Sequence, residues 1–217
     1  MTTERPEASN GAAAATRASG MAARVSERGA ATRSGLLAAA REVFTCTGYA
    51  QAGVTDIVAR AGASVGSLYH HFTGKADLYF TLFEEFHQSQ SQRARSAVRR
   101  AREDGLSDPK RLFLAGARAY LDGCVQEREL SGLFVRGDGP PGFDLLMRQR
   151  LRDWADKNAD FFARSAEPLD EALAVVMTGA IMLAVAEVSL GEDAGHARRL
   201  ADGVLEVLSG IGTPPSP

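Results

Sequence analysis

At 217 residues, with 45% hydrophobic and 24% charged side chains, the chain has room for one large domain or two small ones and can bury a core. The net charge of −2 excludes a uniformly basic nucleic-acid coat. The charge is uneven, however: eight Lys and Arg against five Asp and Glu up to Lys75 give about +3, leaving about −5 for the rest.

Cys46 and Cys124 form no close-spaced motif, as expected for buried thiols in a reducing compartment. No run reads as the 18 apolar residues a membrane span needs. The Ala/Arg/Ser-rich start lacks the apolar stretch of a secretory signal, and Glu4, Glu7 and Glu27 set it apart from a transit peptide. A soluble, cytoplasmic protein without a membrane partner is expected.

In chain order, residues 1–31 read as a disordered arm with almost nothing to bury. A first helix begins near Thr32, with Leu36, Leu37, Ala40, Val43 and Phe44 at helical spacing and Gly48 as its C′ residue. A second runs over 54–61 on Val54, Ile57 and Val58, and Gly62 breaks it. A third, over 65–71, buries Leu68 and Phe72. Thr73 or Gly74 caps a fourth, with Asp77 in its first turn and Leu78, Tyr79, Leu82, Phe83 and Phe86 on its apolar side, continuing as polar sequence to about Arg102.

Ser107-Asp108-Pro109 opens the next helix, which carries Leu112, Phe113, Ala117, Tyr120, Leu121 and Cys124. A short segment over 130–135 precedes the breaker "GDGPPG". An amphipathic helix follows with Phe143, Met147, Leu151, Trp154, Phe161 and Phe162. Pro168 opens a nearly all-apolar helix, and a last one bears Leu200, Val204, Leu205 and Leu208, leaving 211–217 as a disordered tail. About nine helices without a strand pattern make an all-α protein.

The second and third helices, joined across Ala61-Gly62-Ala63-Ser64, have helix-turn-helix dimensions. Gly62 supplies positive φ, Ser64 can cap the third helix so that its amides face an anion, and Gly66 keeps the flank low. Ser67, Tyr69 and His70 project as a donor-rich face suited to phosphate contact and groove reading, and Lys75 stands near enough to grip a backbone strand. By spacing alone, such a pair also occurs in folds that bind no DNA.

"TRSGLLAAAREVFTCTGY" and "VTDIVARAGASVGSLYHHFTGKADL" together resemble the DNA-binding domain of the TetR family of bacterial transcriptional regulators, over about residues 32–83. The resemblance implies DNA contacts from Ser64, Val65, Gly66, Ser67, Tyr69, His70 and Lys75, and from Thr55 at the start of the second helix. It implies a C-terminal effector-binding and dimerisation domain over 84–210, a double-stranded operator as partner, a small-molecule effector and a homodimer. Two positions depart from the family: Gly53 stands where a hydroxyl residue is common, and Val65 where lysine or another polar residue is common.

Elsewhere the sequence is plainer. His70, His71, His87 and His196 lack metal-ligand spacing, no nucleophile is paired with a base, and "GDGPPG" lacks the lysine and strand of a phosphate loop. No metal, cofactor or catalytic role is assigned; an all-helical enzyme or carrier, or a non-specific architectural DNA protein, would be the rival. The arginines Arg93, Arg95, Arg99, Arg100 and Arg102 read as a solvated helix face. Arg17, Arg24, Arg28 and Arg33 could form a minor-groove arm or no site at all.

Phe113, Tyr120, Cys124, Trp154 and Phe161 are the candidate effector-pocket residues, combining apolar settings with a few polar atoms. In the last two helices Ala180, Ala184 and Ala186 would permit close approach, with Leu173, Met177, Ile181, Val185 and Val188 supplying the dimer burial.

Overall fold

The computed structural model describes the backbone over 9–162, 168–191 and 193–211, and side chains over 27–158, 172–191 and 193–211. Among the described residues there are nine helices and no strand: α1 (Ser9–Gln51), α2 (Val54–Ala61), α3 (Val65–His71), α4 (Lys75–Glu103), α5 (Pro109–Gln126), α6 (Arg128–Val135), α7 (Phe143–Phe162), α8 (Pro168–Leu190) and α9 (Ala194–Gly210). This is the all-α architecture the spacing predicts.

The first helix starts earlier than expected, at Ser9 rather than near Thr32. Most of the segment read as a disordered arm is therefore helical. Alanines at 12–15, 22, 23, 30 and 31 explain this: alanine is the best helix former, even where nothing apolar recurs. The expected tail after Ile211 lies outside the described residues. Within α1, Gly48 leaves helical geometry at φ 79° and ψ 165°, so the chain bends there before resuming as far as Gln51.

The α2–α3 corner forms as its sequence dictates. Gly62 takes φ 61° and ψ 30°, its N–H reaching back to Ala59 and Val58 carbonyls, and Ala63 N donates to Val58 O at 2.9 Å. A side chain at Gly62 would meet no neighbour, so the left-handed backbone is its reason for being glycine. Ser64 Oγ accepts from Ser67 N at 3.1 Å, capping α3. Ile57 and Leu68 are fully buried against Leu36, Ala40 and Phe44 of α1, and so fix the corner's orientation.

The C-terminal half is built around α4 and α5, which approach closely at Gly116 and Gly123. A Cβ on Gly116 would lie 3.0 Å from Val98 Cγ2, and one on Gly123 only 1.8 Å from Gln90 Oε1. Gln90 is fully buried and its Nε2 is committed to Glu127 Oε1 at 3.1 Å, so it has little freedom to retreat.

The window Ala172–Leu190 of α8 is long and apolar enough to cross a membrane, contrary to the absence expected from sequence. Thr178, Glu187 and Ser189 interrupt it, which is why a simple run count missed it. Its Met177, Ile181, Ala184 and Val188 are buried in the protein's own core, as in a core helix.

Replacing Gly123 with valine should overpack the α4–α5 contact and lower stability by about 1–3 kcal/mol. Urea titration followed by circular dichroism measures it; a midpoint that rises, as helix propensity alone would dictate, contradicts the close-packing account.

Candidate nucleic-acid interface and interior cavity

On α3, Val65, Gly66, Tyr69 and His70 stand at i, i+1, i+4 and i+5 and are all exposed, while Leu68 points inward. Val65 is 43% and Tyr69 58% exposed, large for apolar side chains with nothing to cover them. His70 meets His71 edge to face, with ring centroids 4.9 Å apart. Ser64 is exposed but its Oγ is spent on the cap, and Ser67 is half-buried. Thr55 is exposed in the first turn of α2. At Gly53 the missing side-chain cap is partly replaced: Gly53 N donates to Asp56 Oδ2 at 3.3 Å, and a Cβ there would sit 2.8 Å from that oxygen.

Lys75 is arranged differently from the backbone grip expected of it. Its Nζ donates to the carbonyl oxygens of Tyr49 at 2.7 Å, Ala52 at 3.0 Å and Ala50 at 3.3 Å, and lies 4.3 Å from the Tyr49 ring centroid. All three ammonium protons thus satisfy carbonyls at the end of α1, where a helix leaves acceptors unmet. Arg33, offered as part of a groove-seeking arm, instead lies 5.0 Å from the Phe72 ring centroid and 3.7 Å from Glu85. The side chains of Arg17 and Arg24 lie outside the described residues.

Behind this module, α4, α5 and α7 line a cleft of about 500 Å³ that opens partly to solvent, in the range of small-molecule sites. Phe113, Ala117, Tyr120 and Trp154 form an apolar wall. Tyr120 and Trp154 stack with centroids 6.0 Å apart and planes 24° from parallel. Phe113, Tyr120 and Trp154 are thus brought together as the sequence suggests.

Cys124 is not part of the cavity. It lies one turn further along α5 from Tyr120, fully buried near Ser131. Burial pushes its thiol up to about 12, with the Ser131 hydrogen bond opposing, so it is inert as a nucleophile. The side chain of Phe161 lies outside the described residues.

Sequence reasoning missed the opposite wall. His87, Ser91, Arg95, Val98, Arg99 and Arg102 face the cavity from α4. The signal was present, since these positions recur every three or four residues, but their polarity read as solvation. From α7, Arg150 adds a two-fold contact to Glu84, its Nη2 at 2.6 and 2.8 Å from the carboxylate oxygens. Burial pushes the His87 pKa below its ordinary 6.5; Arg150, Lys157 and Arg95 act in the same direction and Glu84 opposes them.

An exposed third helix on a glycine-turned pair, carried by a helical body with a drug-sized cleft, defines a helix-turn-helix protein. Residues 36–82 match the family model for bacterial regulatory proteins of the tetR family. The transcriptional activator FasR of Mycolicibacterium smegmatis is 34% identical over 90 residues, 42% of this chain and 39% of that protein. The chain spans less than half the length of the curated relatives it matches. Across nearly the whole fold, a TetR-family transcriptional regulator from Pectobacterium atrosepticum superposes with a TM-score of 0.59 at 27% identity, covering 88% of this chain and 98% of that one. SmeT, solved with triclosan, superposes with a TM-score of 0.65 at 21% identity, over 86% of this chain and 96% of that one, a likeness of fold. Residues 36–82 thus carry the DNA-binding module of the tetR family model, and the fold as a whole is similar to that of TetR-family regulators.

Two outcomes follow from the geometry. Lys75→Met should unfold at lower denaturant, by about 1–3 kcal/mol, because three carbonyls lose a charged donor; unchanged stability with a weaker salt dependence of DNA binding would return Lys75 to the phosphate backbone. A lowered His87 pKa means the folded state resists protonation. Stability is therefore complete above pH 6.5 and falls as pH drops below it, where only the unfolded state binds the proton. His87→Gln should flatten that acid-side decline, as read from urea midpoints at a series of pH values.

Proposed function

We propose that the chain is a homodimeric, ligand-responsive transcriptional regulator, a repressor released from a near-palindromic operator by a small molecule. The observation that carries the reading is continuity: one helix, α4, holds the reading module at its first residue and walls the cavity with its second half. Residues 32–83 would form the DNA-binding domain and 84–210 the effector and dimer domain. Val65, Gly66, Tyr69 and His70 would enter the major groove, with Ser64, Ser67 and Thr55 near the backbone. The likeness to SmeT favours a drug-sized effector.

For the dimer, the structure favours a different stripe from the one read in sequence. Met177, Ile181 and Val188 are already buried within the subunit, whereas Val175, Val176, Leu183 and Leu190 of α8 and Val207 of α9 are 49–68% exposed. A second copy packed across that stripe would cover it and set two α3 helices one DNA turn apart. A ligand that fits only a dimer with altered spacing must prefer that state by several kcal/mol to empty the operator.

Fluorescence anisotropy on the chain's own upstream DNA and on scrambled DNA tests the reading. Tight binding confined to the upstream DNA, and lowered about 10- to 100-fold by Tyr69→Ala without loss of stability, is expected. Equal binding to both, collapsing with salt, would reduce the interaction to phosphate attraction.

A further inference from the structure

The cavity's lining is charged in one sense. Arg95, Arg99, Arg102, Arg150 and Lys157 face it, and Asp153 is the only acid among the described lining residues. Asp153 Oδ1 already accepts from Gln149 Nε2 at 2.8 Å. Arg150 spends Nη2 on Glu84, while its Nε is buried without an acceptor. Buried donors are rarely left unmet in a native protein, and such exceptions point to a missing partner.

We propose that the cavity takes an elongated amphipathic organic anion, with its acid group against Arg150 and Lys157 and its apolar body along Phe113, Tyr120 and Trp154. This deepens the reading above, in which the cavity is the effector site, and rests on it for any effect on DNA. A cation would meet five like charges, two of them paired to Glu84 and Glu103, and one engaged carboxylate. A neutral apolar molecule would cover Arg150, whose Nε has no acceptor, without offering one, which is unfavourable. An inorganic anion is far too small for about 500 Å³ and would leave the aromatic wall uncovered. The length follows from α4, whose cavity-facing residues run from His87 to Arg102, about 22 Å at 1.5 Å per residue.

A matched pair of dyes tests this on the full chain: 1-anilinonaphthalene-8-sulfonate and N-phenyl-1-naphthylamine, which differ by the sulfonate. Trp154 is the protein's single tryptophan and lines the cavity, so energy transfer from it reports binding there. The sulfonate should bind at least about ten-fold more tightly than its neutral partner, as a desolvated charge-assisted contact implies. Arg150→Gln should shrink that preference. Because this variant also loses the Glu84 contact, Lys157→Gln serves as the independent second test and should shrink it as well. Equal or tighter binding of the neutral dye, or a preference intact in both variants, overturns the inference. Operator binding is scored separately: a protein that ignores operator DNA yet prefers the sulfonate sinks the regulator reading alone, and one that binds the operator yet prefers the neutral dye sinks the anion alone.

Discussion

Tyr79 is the joint on which the molecule depends. Its ring is fully buried and meets Phe44 and Tyr49 of α1 on one side, with centroids 5.7 and 5.2 Å away, and Phe134 of α6 and Phe143 of α7 on the other, at 5.4 and 5.0 Å. Those four rings come from α1 on one side and from α6 and α7 on the other, and edge-on packing of this kind adds to simple burial. The hydroxyl donates to Leu133 O at 3.2 Å. Burial holds its pKa well above the ordinary 10, with Asp138 and Tyr49 adding to the rise, so it remains a donor at any physiological pH. Phe83 and Phe86 extend the cluster by one and two turns of α4.

A second contact locks the same joint from outside. Asp138, in the loop between α6 and α7, accepts from Ala50 N at 3.2 Å just past the bend at Gly48. Lys75 ties the neighbouring carbonyls to the start of α4. The end of α1 is thus held by α4 and by the α6–α7 loop at once. The α2–α3 pair that follows the end of α1 is therefore anchored to α4 and to the α6–α7 loop. Glu84 sits on α4 beside Phe83 and is bonded to Arg150 of α7, so an anion that draws on Arg150 acts one turn from the aromatic joint.

How much of this was legible in the sequence follows from what each signal encodes. The limits of α2 and α3, the left-handed Gly62 and the Ser64 cap are local, set by residues within a few positions of one another, and they appear where the sequence places them. Lys75, Arg33 and Cys124 were read for their chemistry, but their partners lie 23 or more residues away or on another helix, and no spacing rule names such a partner. The stripe on α8 was misassigned for a related reason. A helix that is apolar all round gives no sequence cue to which side its own subunit covers and which it leaves for another. The early start of α1 is the opposite case, in which composition was weighed for burial when propensity alone was sufficient.

The two family departures then combine into a particular reading surface. At Gly53 the backbone amide is taken by Asp56, which brings a carboxylate to the exposed first turn of α2, where a hydroxyl would have offered a neutral contact. Next to it, Val65 places two exposed methyl groups where a polar side chain is usual, beside the half-exposed ring of Tyr69. Under the proposed DNA-binding role, backbone attraction would be weakened on one helix, while the other would gain apolar area for the major groove to cover. Thymine is the base that presents a methyl group there. Under that role, a chain of this composition would discriminate among sequences by what fits against Val65 and Tyr69, having less phosphate affinity with which to hold a wrong one.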